Sequence, residues 1–367
     1  MNAEQRIPSL DGCRAIAILL VVYYHLQFSP TGDFPRMTNW GILGVFVFFV
    51  ISGFLITSLL LKERELWGSI SLKFFYLRRV FRIFPALALS LIGIKLLSNF
   101  GLAVVSNRAL VFSFSFLRNY HPGPYRILHH LWSLSVEEQF YVVWPFLVAT
   151  LSRRTLYRLL LLVIVATPII RVACVLVFGH ALLDHTEQVA DGLAFGCLLA
   201  IKQKDLRAIR FYQWLSQSNF SLLVPCATIG AYVVHRRLIT EAIGRSVVFL
   251  TIALSIDLIM LRCDSPLGRF MNAGPIAWLG KISYSLYLWQ QVFLIVKTGD
   301  QPYAQFPVNL GLAVLCAVAS YYLVERPLIA IGRRSVAHRS RRNTSVTSDS
   351  AKSGMIGEMP ISSESNA

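Results

Sequence analysis

Runs of about 20 apolar residues recur along almost the whole chain, each long enough as a helix to cross a ~30 Å hydrocarbon core. No other feature narrows the fold as much. A backbone in lipid must satisfy its own hydrogen bonds, so each run predicts a helix. The expected fold class is therefore all-α, a polytopic integral membrane helix bundle. Spans are predicted at about 10–28, 41–62, 80–99, 134–152, 156–178, 188–202, 219–236, 245–262, 280–298 and 307–329, ten transmembrane helices in all. The stretch 102–118 is apolar but broken by Asn107 and Arg108, which suits an interfacial or re-entrant segment.

Composition agrees with that frame: of 367 residues 55% are hydrophobic and only 15% charged, which excludes an ordinary soluble enzyme. The net charge of +16 does not imply nucleic acid, because the lysines and arginines fall in short clusters between apolar runs. They mark membrane sidedness instead. Arg64, Lys73, Arg78, Arg79 and Arg82 follow the second run, and Arg153, Arg154, Lys202, Lys204, Arg207, Arg262 and Arg269 lie in later loops of the same side. By the positive-inside rule both termini are cytoplasmic. The first run has no small-residue cleavage site after it and reads as a retained helix. Six scattered cysteines without CxxC spacing indicate neither a disulfide framework nor a metal site. Residues 1–332 are assigned to a transmembrane domain and 333–367, rich in Ser, Thr, Asn and Arg, to a disordered polar tail on the cytoplasmic side.

Two residues in the first run are expensive in lipid: Arg14 and His25. At about 100° per residue they return to within about 20° of one another, separated by about 16 Å along the axis. One stripe then offers a cation toward the cytoplasm and a titratable base toward the far side. The plainer reading lets Arg14 snorkel to the headgroups while His25 sits at the interface beside Tyr23 and Tyr24. In "FYLRRVFRIFP", Arg78, Arg79 and Arg82 open the third helix on one side, a patch suited to phosphate oxygens or, more plainly, to anionic lipid.

Carboxylates follow. In "HHLWSLSVEEQFYVVWP", Ser135 and Glu138 have capping-box spacing, which leaves Glu137 to face a polar cavity with His130 and Trp132 as neighbours. Asp191 and Asp257 lie within apolar runs, Asp257 as a partner for an intramembrane cation. Glu325 precedes Arg326 and Pro327, so an ion pair at a helix end explains it as well as a site does. Ser52 and Gly53 permit either a bend or ordinary close packing of helices.

Taken in order, "LDGCRAIAILLVVYYH", "FFVISGFLIT", "RRVFRIFP", "LWSLSVEEQFYVVWP", "LGKISYSLYLW" and "YYLVERP" resemble the membrane acyltransferase-3 family over about residues 6 to 330. The resemblance implies a membrane O-acyltransferase moving an acyl group, commonly acetyl, from acyl-CoA to a hydroxyl of a carbohydrate such as exopolysaccharide or lipopolysaccharide. It places the chain in a bacterial inner (plasma) membrane, with acyl-CoA, a carbohydrate or glycoside acceptor and lipids as partners and no nucleic acid or metal. The family's Arg-(ten residues)-His signature falls on Arg14 and His25, its Arg-x-x-Arg on Arg79 and Arg82, and its Glu-Arg-Pro on Glu325. Gln290 stands where many relatives have histidine, and Val189 replaces a basic residue two before Asp191, which leaves that acid without its neighbour. Some relatives append a soluble SGNH-type domain, and none is expected here.

The expected mechanism sets the donor's phosphates on Arg79 and Arg82, with Arg78 as a third, and makes His25 the base. Arg14 steadies the donor or orients the pocket, Glu137 or Glu325 lends polar support, and groups near Ser52 and Gly53 are candidates to stabilise an oxyanion. The rival class is a transporter of a polar or glycosylated substrate, in which His25, Asp191 and Asp257 form a pathway.

Overall fold

A computed structural model describes residues 9–27, 40–121, 123–179, 184–234, 238–295 and 304–332. Thirteen helices and no strand occur among them: α1 Leu10–Leu26, α2 Trp40–Trp67, α3 Leu72–Asn99, α4 Asn107–Phe114, α5 Leu131–Thr150, α6 Arg153–Phe178, α7 Ala190–Ala208, α8 Arg210–Gln217, α9 Leu223–Val234, α10 Leu238–Leu261, α11 Pro266–Asn272, α12 Gly274–Leu294 and α13 Val308–Ser320. A π turn, Tyr321–Glu325, carries α13 onward, so the helical segment reaches Gly332. The assigned tail, 333–367, lies outside the described residues.

Each predicted span meets a helix, with instructive differences at the ends. α3 begins at Leu72 rather than near 80, so the arginine cluster is inside the helix. α5 begins at Leu131 rather than at 134. Predicted span 219–236 opens with a 3-10 turn, Asn219–Leu222, that runs directly into α9, and its last two residues lie outside the described residues. The stretch 102–118 holds the eight-residue α4, started by Ser106 accepting from the Ala109 N–H.

Among the described residues five segments are long and apolar enough to cross a membrane: α2, α3, α6, Ile243–Leu261 of α10, and Val308–Gly332. α1, α5, α7 and α12 fall outside that group because they are short or carry polar faces turned inward. On α6 the logic is inverted: Leu162, Ile169 and Leu176, seven residues apart, are 64%, 63% and 80% exposed and form a stripe for lipid.

Small residues set the helix contacts. A Cβ on Gly53 would lie 2.1 Å from the Leu193 carbonyl oxygen, and one on Gly196 equally close to that of Val50, so α2 and α7 touch backbone to backbone. Gly280 brings α12 against Asp11 of α1, and Gly44 brings α2 against Ala17. Around these contacts Ile18, Phe46, Phe49, Ile51 and Phe249 form the buried centre. α1 is thus held between α2 and α12, and its polar stripe turns into the protein.

Candidate active site

The Arg14 half of the stripe is cationic. Arg14 of α1 is 3.6 Å from Asp11, and its side chain keeps 19% of its surface accessible. Arg79 and Arg82 of α3 approach Arg14 closely enough to act on it electrostatically. The Arg79 guanidinium lies over the Tyr141 ring at 4.3 Å and over Phe75 at 5.7 Å. Arg78, turned about 100° from Arg79, leaves this group and meets Glu63 of α2 at 3.4 Å. The expected arginine trio is therefore split, and Arg14 takes the third place.

Three carboxylates face the arginines. Glu137 accepts from Ser52 Oγ at 3.1 Å and from the Tyr141 hydroxyl at 3.3 Å, while Tyr141 also donates to Ser52 Oγ at 2.8 Å. Glu137 sits deeper than expected, with Arg79 and Arg14 as charged neighbours rather than His130 and Trp132. Trp132 packs on Phe49 instead, ring centres 5.9 Å apart. Glu138 is buried near Arg79 and Arg82, with Oε1 unpartnered among the described residues.

The expected capping box does not form. Because α5 starts earlier, Ser135 lies inside it and donates to the Leu131 carbonyl at 2.9 Å. Glu325, on the π turn, accepts from Ser285 of α12 and has Arg82 as its charged neighbour. It makes no helix-end pair with Arg326, which lies over the Tyr322 ring at 5.7 Å. The Tyr284 hydroxyl donates to the Ile83 carbonyl at 2.9 Å and so fastens α12 to α3 one residue from Arg82. Arg14, Arg79 and Arg82 thus each have an acidic neighbour among Asp11, Glu137, Glu138 and Glu325, which lowers the cost of charge inside the bundle.

At the other end of the stripe stands His25, 9% exposed, its Nδ1 without a partner among the described residues. Tyr24 meets its ring edge-on at 5.3 Å, and Gln290 of α12, His129, His130 and Arg126 are its polar neighbours. The residue two turns before Glu137, His130, thus belongs with His25.

Several candidates lie elsewhere. Gly53 is a packing residue against α7. Asp191 is not left without a cation: Arg171 of α6 donates to it, and so does Ser246 of α10 at 2.6 Å. Asp257 is paired with Arg207 at 2.5 Å and accepts from Gln203 at 2.7 Å and Tyr212 at 2.9 Å. Tyr141, Tyr284, Ser285, Tyr287 and Gln291 escape a reading by charge, since a hydroxyl or amide in an apolar run is not conspicuous.

Chemically, the cationic end offers planar donors that fit phosphate oxygens, and the histidine end offers His25 Nδ1, without a partner among the described residues, for proton transfer. Residues 7–325 match the family model Acyl_transf_3, described as an acyltransferase domain. YrhL of Bacillus subtilis (strain 168) is 29% identical over 369 residues, covering 91% of this chain and 56% of that protein. The O-acetyltransferase OatA of Staphylococcus aureus (strain NCTC 8325) is 27% identical, covering 92% of this chain and 59% of its own length. The peptidoglycan O-acetyltransferase OatA of Listeria monocytogenes is 28% identical, with 88% and 54% covered. The chain therefore spans little more than half the length of these relatives. No solved structure matches it.

Proposed function

The chain belongs to the Acyl_transf_3 family of acyltransferases, and from that premise we propose that it is a membrane O-acetyltransferase. Acyl-CoA, acetyl-CoA first, is the donor and a hydroxyl of a cell-envelope carbohydrate the acceptor. Peptidoglycan leads among acceptors because the Listeria relative carries that name. The observation that carries the reading is the arrangement on α1: a partly accessible arginine cluster at Arg14 and, about 16 Å further along the same helix, a buried histidine whose Nδ1 has no partner among the described residues.

Arg79 and Arg82 take the donor's phosphates from the cytoplasmic side, Arg14 lines the passage, and the thioester reaches His25. His25 accepts the proton of the acceptor hydroxyl as its oxygen attacks the acyl carbon. Glu137, fixed by Ser52 and Tyr141, holds Arg79 and Arg14 in place. The helices make ten crossings of a bacterial inner membrane with both termini in the cytoplasm.

The test is purified protein in detergent with acetyl-CoA and a soluble peptidoglycan fragment, with ester formation followed by mass spectrometry. Wild type forms ester without a sealed compartment, as a transporter would not. His25→Ala loses about 10²–10⁴-fold in kcat, and an unchanged rate would remove His25 as the base.

A further inference from the structure

We propose that His130 is the oxyanion donor of the transfer, its ring N–H holding the thioester carbonyl oxygen as that oxygen becomes negative. This deepens the acyltransferase reading and rests on it.

His130 is 4% exposed, and neither ring nitrogen has a hydrogen-bond partner among the described residues. A neutral imidazole carries one N–H and one lone pair. Leaving each unmade in the interior costs about 1–3 kcal/mol, so a purely structural residue would be better served by an apolar ring.

The backbone of the same residue, by contrast, is clamped. Its N–H donates to Gln291 Oε1 at 3.0 Å, and its carbonyl accepts from the Tyr287 hydroxyl at 2.5 Å. Tyr287 in turn shares a hydrogen bond of 2.6 Å with Ser133, and Gln291 is held through Nε2 by the Arg126 carbonyl at 2.7 Å. The Tyr287 ring meets the His130 ring edge-on at 5.2 Å. These hydrogen bonds fix the backbone that carries the ring, while the Gln291 side chain and the Leu288 backbone lie beside the ring and its nitrogens make no well-formed hydrogen bond among the described residues. That is the arrangement of a preorganised donor.

His130 also lies within electrostatic reach of His25, whose Nδ1 has no hydrogen-bond partner among the described residues. Of the other candidate donors, Ser52 is engaged with Glu137 and Tyr141, Gly53 lies within α2 against Leu193, and the Gln290 amide beside His25 donates to the Tyr287 carbonyl at 3.5 Å.

In the step itself the acceptor oxygen bonds to the acyl carbon and its proton passes to His25. The carbonyl electron pair moves onto oxygen, where the His130 N–H holds it. On collapse the C–S bond breaks and the proton on His25 passes to sulfur, giving ester and free thiol. His130 keeps its proton throughout.

The full chain is assayed with acetyl-CoA and the peptidoglycan fragment as wild type, His25→Ala, His130→Gln, His130→Leu and His130→Phe. Glutamine retains an N–H, whereas leucine and phenylalanine fill the space without one. The donor-free variants are expected to lose about 10²–10³-fold in kcat with KM for acetyl-CoA within about twofold of wild type. Glutamine is expected to stay within about tenfold of wild type, since it restores the donor. The three His130 variants sharing one kcat, or a loss confined to KM, would overturn the proposal. If wild type forms no ester, the acyltransferase reading itself fails. If wild type is active, His25→Ala is not, and the His130 variants match wild type, only the role of His130 falls.

Discussion

Replacing Arg171 by leucine asks whether the buried acid on α7 braces the bundle or belongs to its chemistry. Both side chains of the Arg171–Asp191 pair are 0% exposed. Arg171 also donates through Nε to the Gln188 carbonyl at 2.6 Å and through Nη1 to Ser246 at 3.2 Å. Arg171→Leu leaves Asp191 with Ser246 but no cation, a loss of about 3–5 kcal/mol. The Gln188 carbonyl, stripped of this donor, adds about 1–3 kcal/mol. Against a typical total of about 5–15 kcal/mol, the melting temperature in detergent should fall on the order of 10 °C. Arg171→Met with Asp191→Leu removes both charges and should regain most of the loss, because an apolar pair of like volume avoids the desolvation cost. Scanning fluorimetry gives the stability and acetyl transfer from acetyl-CoA gives the function. The double variant should melt well above Arg171→Leu, short of wild type by about 1–3 kcal/mol for the unpaired Gln188 carbonyl, and keep its kcat. A double variant that is stable but inactive would refute the bracing argument and put Asp191 in a substrate or proton pathway.

Other expectations follow from the same geometry. Arg78→Ala should leave acetyl-CoA affinity unchanged and cost at most about 1 kcal/mol, since Arg78 faces Glu63 rather than the cluster; a weakened affinity in a binding titration would return it to the donor site. Tyr141→Phe keeps the ring under Arg79 and removes the hydroxyl shared by Ser52 and Glu137. It should cost about 1 kcal/mol in stability and lower kcat more than it changes donor affinity, and the reverse split would place Tyr141 in binding alone. Gly53→Ala puts a methyl group 2.1 Å from the Leu193 carbonyl oxygen and forces α2 and α7 apart. A destabilisation of about 1–3 kcal/mol is expected, and an unaltered melting temperature would contradict so close a contact.

The helices were legible because a 20-residue apolar run in lipid has one backbone solution. What the sequence hid were contacts between distant segments. The arginines of α3 read as a boundary because buried arginine is costly, and Tyr141, Glu137, Glu138 and Glu325, contributed by α5 and the π turn, make Arg79 and Arg82 tolerable inside. The capping box at Ser135 and Glu138 was sound local chemistry in the wrong register. α5 starts at Leu131, and Gln291, 161 residues from His130, holds the His130 N–H just before that start. Asp191 lacked a cation at position 189, yet Arg171 reached it from another helix. Arg14 and His25 were the exception, because eleven residues on one helix fix a shared face without help from the rest of the chain.

The central claim is that donor binding and proton transfer are separate jobs done at opposite ends of α1. The most direct measurement takes purified wild type, Arg79→Ala with Arg82→Ala, and His25→Ala, and determines for each both the Kd for CoA and single-turnover ester formation at saturating acetyl-CoA. The account predicts that the arginine double variant binds CoA at least about tenfold more weakly, having lost two charge-assisted contacts, and that His25→Ala binds CoA as wild type does yet forms ester about 10²–10⁴-fold more slowly. Wild-type affinity without the two arginines, or wild-type transfer without His25, would contradict it.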